Sequence, residues 1–171
     1  MFTEEEQNVG SYPYGKPEIC EWIRQNFSVN SSVLDVGACN GKWRQLLPEY
    51  PNMDAVEAFL PNMDNLTGYR HAYNADIRGF PFNWYDLIIF GDIIEHLPVK
   101  DAQFVLEYAR TRCCDMIIAV PYLYPQGEIY GNPYERHIQD DLTPDIFSER
   151  YPGYEPLWQN EVYAYYHKAK I

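Results

Sequence analysis

Positive charge is what this sequence has least of. Thirteen lysines and arginines face 25 aspartates and glutamates, for a formal net charge of −12. Such a chain repels phosphate backbones and its basic residues do not cluster, so nucleic acid is an unlikely partner. Long apolar runs are missing too. None approaches the ~18 residues of a membrane-spanning helix, and the acidic, polar start from Met1 to Asn8 is unlike a secretory leader. No membrane association is expected. The four cysteines (Cys20, Cys39, Cys113, Cys114) lack metal-ligand spacing, and the last two are adjacent. They read as reduced thiols of a cytoplasmic protein. The sequence shows no repeats, low-complexity tracts or interdomain linkers. Its 171 residues, 46% hydrophobic, are expected to form one domain over 1–171 with a substantial core.

A dinucleotide fingerprint is also lacking. In Val33-Leu34-Asp35-Val36-Gly37-Ala38-Cys39-Asn40-Gly41-Lys42-Trp43, the places for the second and third glycines of G-x-G-x-x-G hold Cys39 and Lys42. The third glycine lets helix and strand pack closely, and a long lysine defeats that. What remains is a β-branched run ending in glycine with a helical pattern beyond it: strand, tight turn, helix. That turn gathers backbone N–H groups and a helix N-terminus beside one pocket, with Asp35 at the strand end.

The rest of the chain alternates in the same way. An irregular arm over Met1–Gly15 precedes a helix from Lys16 to Phe27, with Ile19, Trp22, Ile23 and Phe27 at helical spacing. Strands are expected at Ser32–Val36, Met53–Ala58, His71–Ile77, Tyr85–Phe90 and Cys114–Val120. Helices are expected at Lys42–Tyr50, weakly at Asn62–Gly68, and at Val99–Arg112. The apolar run through Phe90 suits a parallel strand covered on both faces. A long tyrosine-rich connection over 122–142 lacks periodicity and is expected to close the substrate side, with Tyr12, Tyr14, Tyr122, Tyr124, Tyr130 and Tyr134 in the irregular segments. Thr143-Pro144-Asp145 opens a short helix, and a hairpin turns at Asn160-Glu161. The predicted fold is α/β: a doubly wound, mostly parallel seven-stranded sheet with a C-terminal antiparallel hairpin.

Ligands of such sheets bind beyond the carboxyl ends of the strands. Four expected strand ends carry an acid: Asp35, Glu57, Asp76 and Asp92. Glu57 lies twenty residues past Gly37, where a carboxylate can accept both hydroxyls of a ribose. Asp35-x-Gly37-x-Cys39-x-Gly41, then Glu57, then Asp76-Ile77, then Gly91-Asp92-Ile93-Ile94-Glu95-His96-Leu97-Pro98, resemble in order the motifs of class I S-adenosylmethionine (SAM)-dependent methyltransferases of the small-molecule and ubiquinone-type branch. The departure is Cys39, where that family usually has glycine. The resemblance implies a Rossmann-like methyltransferase fold and SAM as cofactor. Gly37, Cys39 and Gly41 would leave room for its methionine part and Asp35 would face its amino group. Glu57 would hold the ribose, Asp76 the adenine amino group, and Ile77 the adenine face, with Ala58 and Gly91 completing the contacts.

The implied reaction transfers a methyl group to an oxygen or nitrogen of a small-molecule acceptor. His96, His137 and Asp92 are the candidates for catalysis. His96 is expected to secure the start of the following helix, and His137 to line the acceptor pocket. If a helix began at Asp92, then Asp92, Glu95 and His96 would share one face and could hold a divalent metal with His137. This pattern is similar to the metal-binding motif of small-RNA 3′-end 2′-O-methyltransferases. Asp92 reads as too short to join Glu95 and His96 on one ion, so no metal is expected. A metal-assisted RNA 2′-O-methyltransferase and a non-catalytic SAM-binding subunit remain the alternatives.

Overall fold

The computed structural model describes residues 13–129 and 131–168. Most of the Met1–Gly15 arm, with Tyr12, and also Tyr130, lie outside them. Seven strands form one sheet: β1 (Val33–Val36), β2 (Met53–Glu57), β3 (Ala72–Asn74), β4 (Tyr85–Gly91), β5 (Cys113–Pro121), β6 (Glu155–Gln159) and β7 (Tyr163–His167). Their order is β3-β2-β1-β4-β5-β7-β6. Strands β1 to β5 pair in parallel, and β7 runs antiparallel to both β5 and β6. This is the expected doubly wound sheet with its hairpin edge.

β4 shows why its sequence reads as an unbroken apolar run. Leu87, Ile88, Ile89 and Phe90 are each 0% exposed, because both faces of the sheet are covered. Alternate side chains feed opposite layers. Ile88 and Phe90 join the cluster under α3 (Val99–Arg110) and α4 (Pro144–Arg150). Leu87 and Ile89 join the one under α1 (Lys16–Asn26) and α2 (Lys42–Leu46). α3 buries Ala102, Val105, Leu106 and Ala109, an i, i+3, i+4, i+7 stripe. Thr143 caps α4 by accepting from the Ile146 N–H at 3.2 Å, with Pro144 in the first turn as expected.

Several expected boundaries shift. α2 stops at Leu46 rather than Tyr50, because the residue before Pro48 is pushed out of helical geometry. The helix expected over Asn62–Gly68 is a 3₁₀ turn at Leu60–Asn65, with Pro61 at its start. The strand expected over His71–Ile77 keeps only three residues at the sheet edge, and Asp76 caps a 3₁₀ turn over Ile77–Gly79 by accepting from the Arg78 N–H. No helix begins at Asp92, which has φ 57°; a short 3₁₀ turn covers Ile94–His96 instead.

β1 leads to β2 and β3 on one side of the sheet, while β4 and β5 lie on the other. The loops leaving β1 and β4 therefore part in opposite directions, and a crevice opens between them at the carboxyl edge.

Candidate active site

That crevice is a cavity of about 820 Å³. The loop after β1 forms its floor. Gly37 has φ 70° and donates its N–H to the Val56 carbonyl at 2.8 Å. A Cβ there would collide with the Ile93 side chain. Cys39, at φ 48°, sits in the left-handed region that costs an L residue energy, and its N–H donates to Glu57 Oε2 at 2.8 Å. Burial pushes its thiol up to about 12, with the Glu135 and Glu57 charges adding to the effect.

Glu57, 6% exposed, ends β2 with both oxygens engaged. Oε2 accepts from Cys39, and Oε1 accepts from the Phe59 N–H at 2.8 Å. Each oxygen keeps a second lone pair for a ligand. Ala58, Asp76 and Ile77 continue the wall, as does Gly91. A Cβ on Gly91 would stand 2.9 Å from Trp43 Nε1. Asp76 is clamped by Arg78, whose Nη2 donates to Oδ2 at 2.5 Å and whose Nε donates to Oδ1 at 3.0 Å. The guanidinium holds that carboxyl below its usual range.

Two expected contacts sit elsewhere. The described wall includes neither Asp35 nor Gly41. Asp35 is 1% exposed beneath the loop and accepts from the Tyr69 hydroxyl at 2.5 Å. Burial raises its carboxyl to about 7, against the opposing Tyr69 hydrogen bond. Gly41, with φ 71°, turns the chain into α2.

Asp92, Glu95, His96 and His137 stand on the far wall with Tyr124 and Tyr134. Asp92 Oδ1 accepts from the Tyr163 hydroxyl at 2.5 Å, which draws it toward β7. His96 does not secure α3, whose first turn follows Pro98 without a side-chain cap. Its Nδ1 bonds the Arg136 carbonyl at 3.2 Å, and His137 Nδ1 bonds the Tyr124 carbonyl at 2.6 Å. The two rings meet edge to face, 4.7 Å between centroids. Burial lowers His96 to about 4, with His137 contributing, and burial lowers His137 as well. Both are neutral near pH 7.

Tyr122 is not part of the wall. It is 6% exposed in the core, hydrogen-bonded to the Tyr166 hydroxyl. The wall also contains Glu135, which the sequence reading passed over. Its Oε1 accepts from Asn132 at 3.2 Å, and burial raises its carboxyl, with Glu57 and Asp92 adding to the effect. Only its place two residues before His137 could have drawn notice.

No protein-family model matches this chain, and no curated protein does. Solved structures do. The methyltransferase domain of bacterial CtHen1 matches at TM-score 0.67 and 15% identity, covering 90% of this chain and 96% of that one. DhpI in complex with SAM and HEP matches at TM-score 0.69 and 14% identity, covering 91% and 86%. The N-terminal domain of EvdMO1, solved in the presence of SAH and D-fucose, matches at 0.69 and 14%, covering 95% and 85%. The chain shares the Rossmann-like methyltransferase fold of the CtHen1 domain, and the DhpI and EvdMO1 structures match the same fold.

Proposed function

We propose that this chain is a SAM-dependent methyltransferase that methylates an oxygen or nitrogen of a small-molecule acceptor. The observation that carries the reading is Glu57, a buried carboxylate held by the Cys39 and Phe59 amides in the wall of the crevice. Neighbours of the same fold solved with SAM or SAH support it. The residues present suit a nucleoside. Glu57 has lone pairs for two ribose hydroxyls, Ala58 and Ile77 offer apolar surface for an adenine, and Gly37 and Gly91 keep side chains out of the methionine end. Asp76 at the rim would receive the adenine amino group only beside its Arg78 clamp.

Bound SAM supplies an electrophilic methyl on a sulfonium, so the chain's task is alignment and exclusion of water. Asp92 lines the cavity with its carboxylate fixed by the Tyr163 hydroxyl. His96 and His137 line the acceptor side, each Nδ1–H tied to a backbone carbonyl, and the Nε2 of His137 can orient the acceptor and draw off its proton with His96 packed beside it. Tyr124 and Tyr134 line the same cavity. An RNA acceptor is less well supported. The wall carries Glu57, Asp76, Asp92, Glu95 and Glu135 against Arg78 and Arg136.

The reading takes 1–171 as one domain, 122–142 as its substrate-side connection, and the cytoplasm as its location. Cys20, Cys39, Cys113 and Cys114 are all free thiols. No helix of the described residues is long and apolar enough to cross a membrane. Calorimetric titration with SAM, SAH and NAD tests the cofactor, and a panel of amine and hydroxyl acceptors with labelled SAM tests the reaction. Binding of SAM and SAH without NAD, with label transferred, is the expected result. NAD binding without SAM binding would overturn the reading. SAM binding with no acceptor methylated would favour a non-catalytic binding subunit.

A further inference from the structure

We propose that the acceptor is an amine with an apolar body, bound as its ammonium ion among Asp92, Glu95 and Glu135 and methylated at nitrogen. This narrows the methyltransferase reading above and rests on it.

The two arginines of the cavity wall do not offset its acids. Arg78 is taken by Asp76, and Arg136, 64% exposed, stands 3.9 Å from Glu128. The imidazoles of His96 and His137 are neutral near pH 7. Burial raises the Glu95 and Glu135 carboxyls, and the charges that add to it are other carboxylates: Asp92 and Glu135 act on Glu95, Glu57 and Asp92 on Glu135. Bound SAM relieves only part of this repulsion, since its ammonium and sulfonium together outweigh its carboxylate by a single charge. The acceptor side keeps an excess of negative potential, which attracts a cation and repels an anionic acceptor.

Glu95 adds an independent sign of a missing partner. It is 0% exposed, and neither of its carboxylate oxygens finds a hydrogen-bond donor among the described residues. A carboxylate oxygen lies within 4.8 Å of a nitrogen of both His96 and His137, and all three residues line the cavity. A buried carboxyl in that condition is costly, and a ligand carrying positive charge and several N–H donors lowers the cost where a hydroxyl with one donor does less. Leu97, Tyr124, Tyr134 and Ile138 line the same cavity and supply apolar surface for the body of the molecule.

An ammonium has no lone pair, so it must lose a proton before it can react. The Nε2 of His137 takes that proton. The neutral amine then takes the methyl carbon with its lone pair, leaving the carbon–sulfur electrons on the sulfur of SAH. The product is an N-methylated ammonium, and the imidazolium passes its proton to water.

The test saturates the full chain with SAH in the presence of chelator, so that the cofactor site is filled and no stray metal ion mediates the contact. Calorimetric titration then compares 2-phenylethylamine, 2-phenylethanol and phenylacetate, which share an apolar body and differ in charge. The amine is expected to bind about tenfold or more tighter than the alcohol, with phenylacetate weakest, and labelled SAM should methylate the amine in preference to the alcohol. Glu135→Gln should weaken the amine about tenfold and the alcohol less than about twofold. The three probes on the unaltered protein decide the matter even where the variant fails to fold. SAH that does not bind would overturn the methyltransferase reading and this inference with it. SAH that binds while amine and alcohol are indistinguishable, whether both bind or neither does, would overturn this inference alone, as would label entering the alcohol in preference to the amine.

Discussion

Asp35 is the residue whose sequence role and structural setting differ most. Its carboxyl is raised to about 7 from 3.8 by burial beneath the loop. An acid raised in this way binds more protons folded than unfolded. Its stabilising effect is complete below about pH 4 and is lost as pH climbs toward 7. Unfolding by urea between pH 4.5 and 8 should show the wild type losing ~2–4 kcal/mol relative to Asp35→Asn across that window. Parallel curves would mean that Asp35 stays ionised in the fold. Glu57 makes a second test. Glu57→Ala should weaken SAM binding by about 2 kcal/mol, roughly thirtyfold, since two hydroxyls lose a charged acceptor and the Cys39 and Phe59 amides lose theirs. Glu57→Gln, which keeps one acceptor oxygen, should fall between. Equal affinities measured by calorimetry would remove Glu57 from the cofactor site.

At the scale of elements, the loop from β1 to α2 is the sensitive part. Gly41 has φ 71°, which a β-branched residue cannot adopt without strain, although nothing lies closer than 3.5 Å to a Cβ there. Gly41→Val should lower SAM affinity more than Gly41→Ala, through loop conformation rather than a direct clash; binding isotherms for the two variants would show it. In the sheet, Ile88→Ala removes a side chain that is 0% exposed in β4 and should cost about 2–5 kcal/mol in urea unfolding while leaving SAM affinity near the parental value. Elements with their own period or punctuation were legible in advance: β4 from its apolar run, α3 from its stripe, α4 from Thr143-Pro144, the hairpin from Asn160. Elements whose ends depend on neighbours were not. α2 ends where Pro48 interrupts it, and β3 extends only as far as three residues find partners on β2.

For the whole molecule, binding and stability are linked. SAM at a hundred times its Kd should stabilise the fold by about 2.7 kcal/mol and raise the melting temperature, while NAD at equal concentration should leave it unchanged. A thermal shift with NAD alone would argue for another ligand. The sequence by itself determined the alternation of strands and helices, the crevice at the carboxyl edge, and the acids Glu57, Asp76 and Asp92 placed along it. All of these follow from local pattern and from the topology of a doubly wound sheet. Only the tertiary structure decided which of the acids are available. It turned Asp35 to Tyr69 and Asp76 to Arg78, drew Asp92 to Tyr163, and brought His137 within 4.7 Å of His96 between ring centroids across forty residues of chain. The partner that takes up a polar side chain is chosen by what folding brings beside it, and no local pattern encodes that choice.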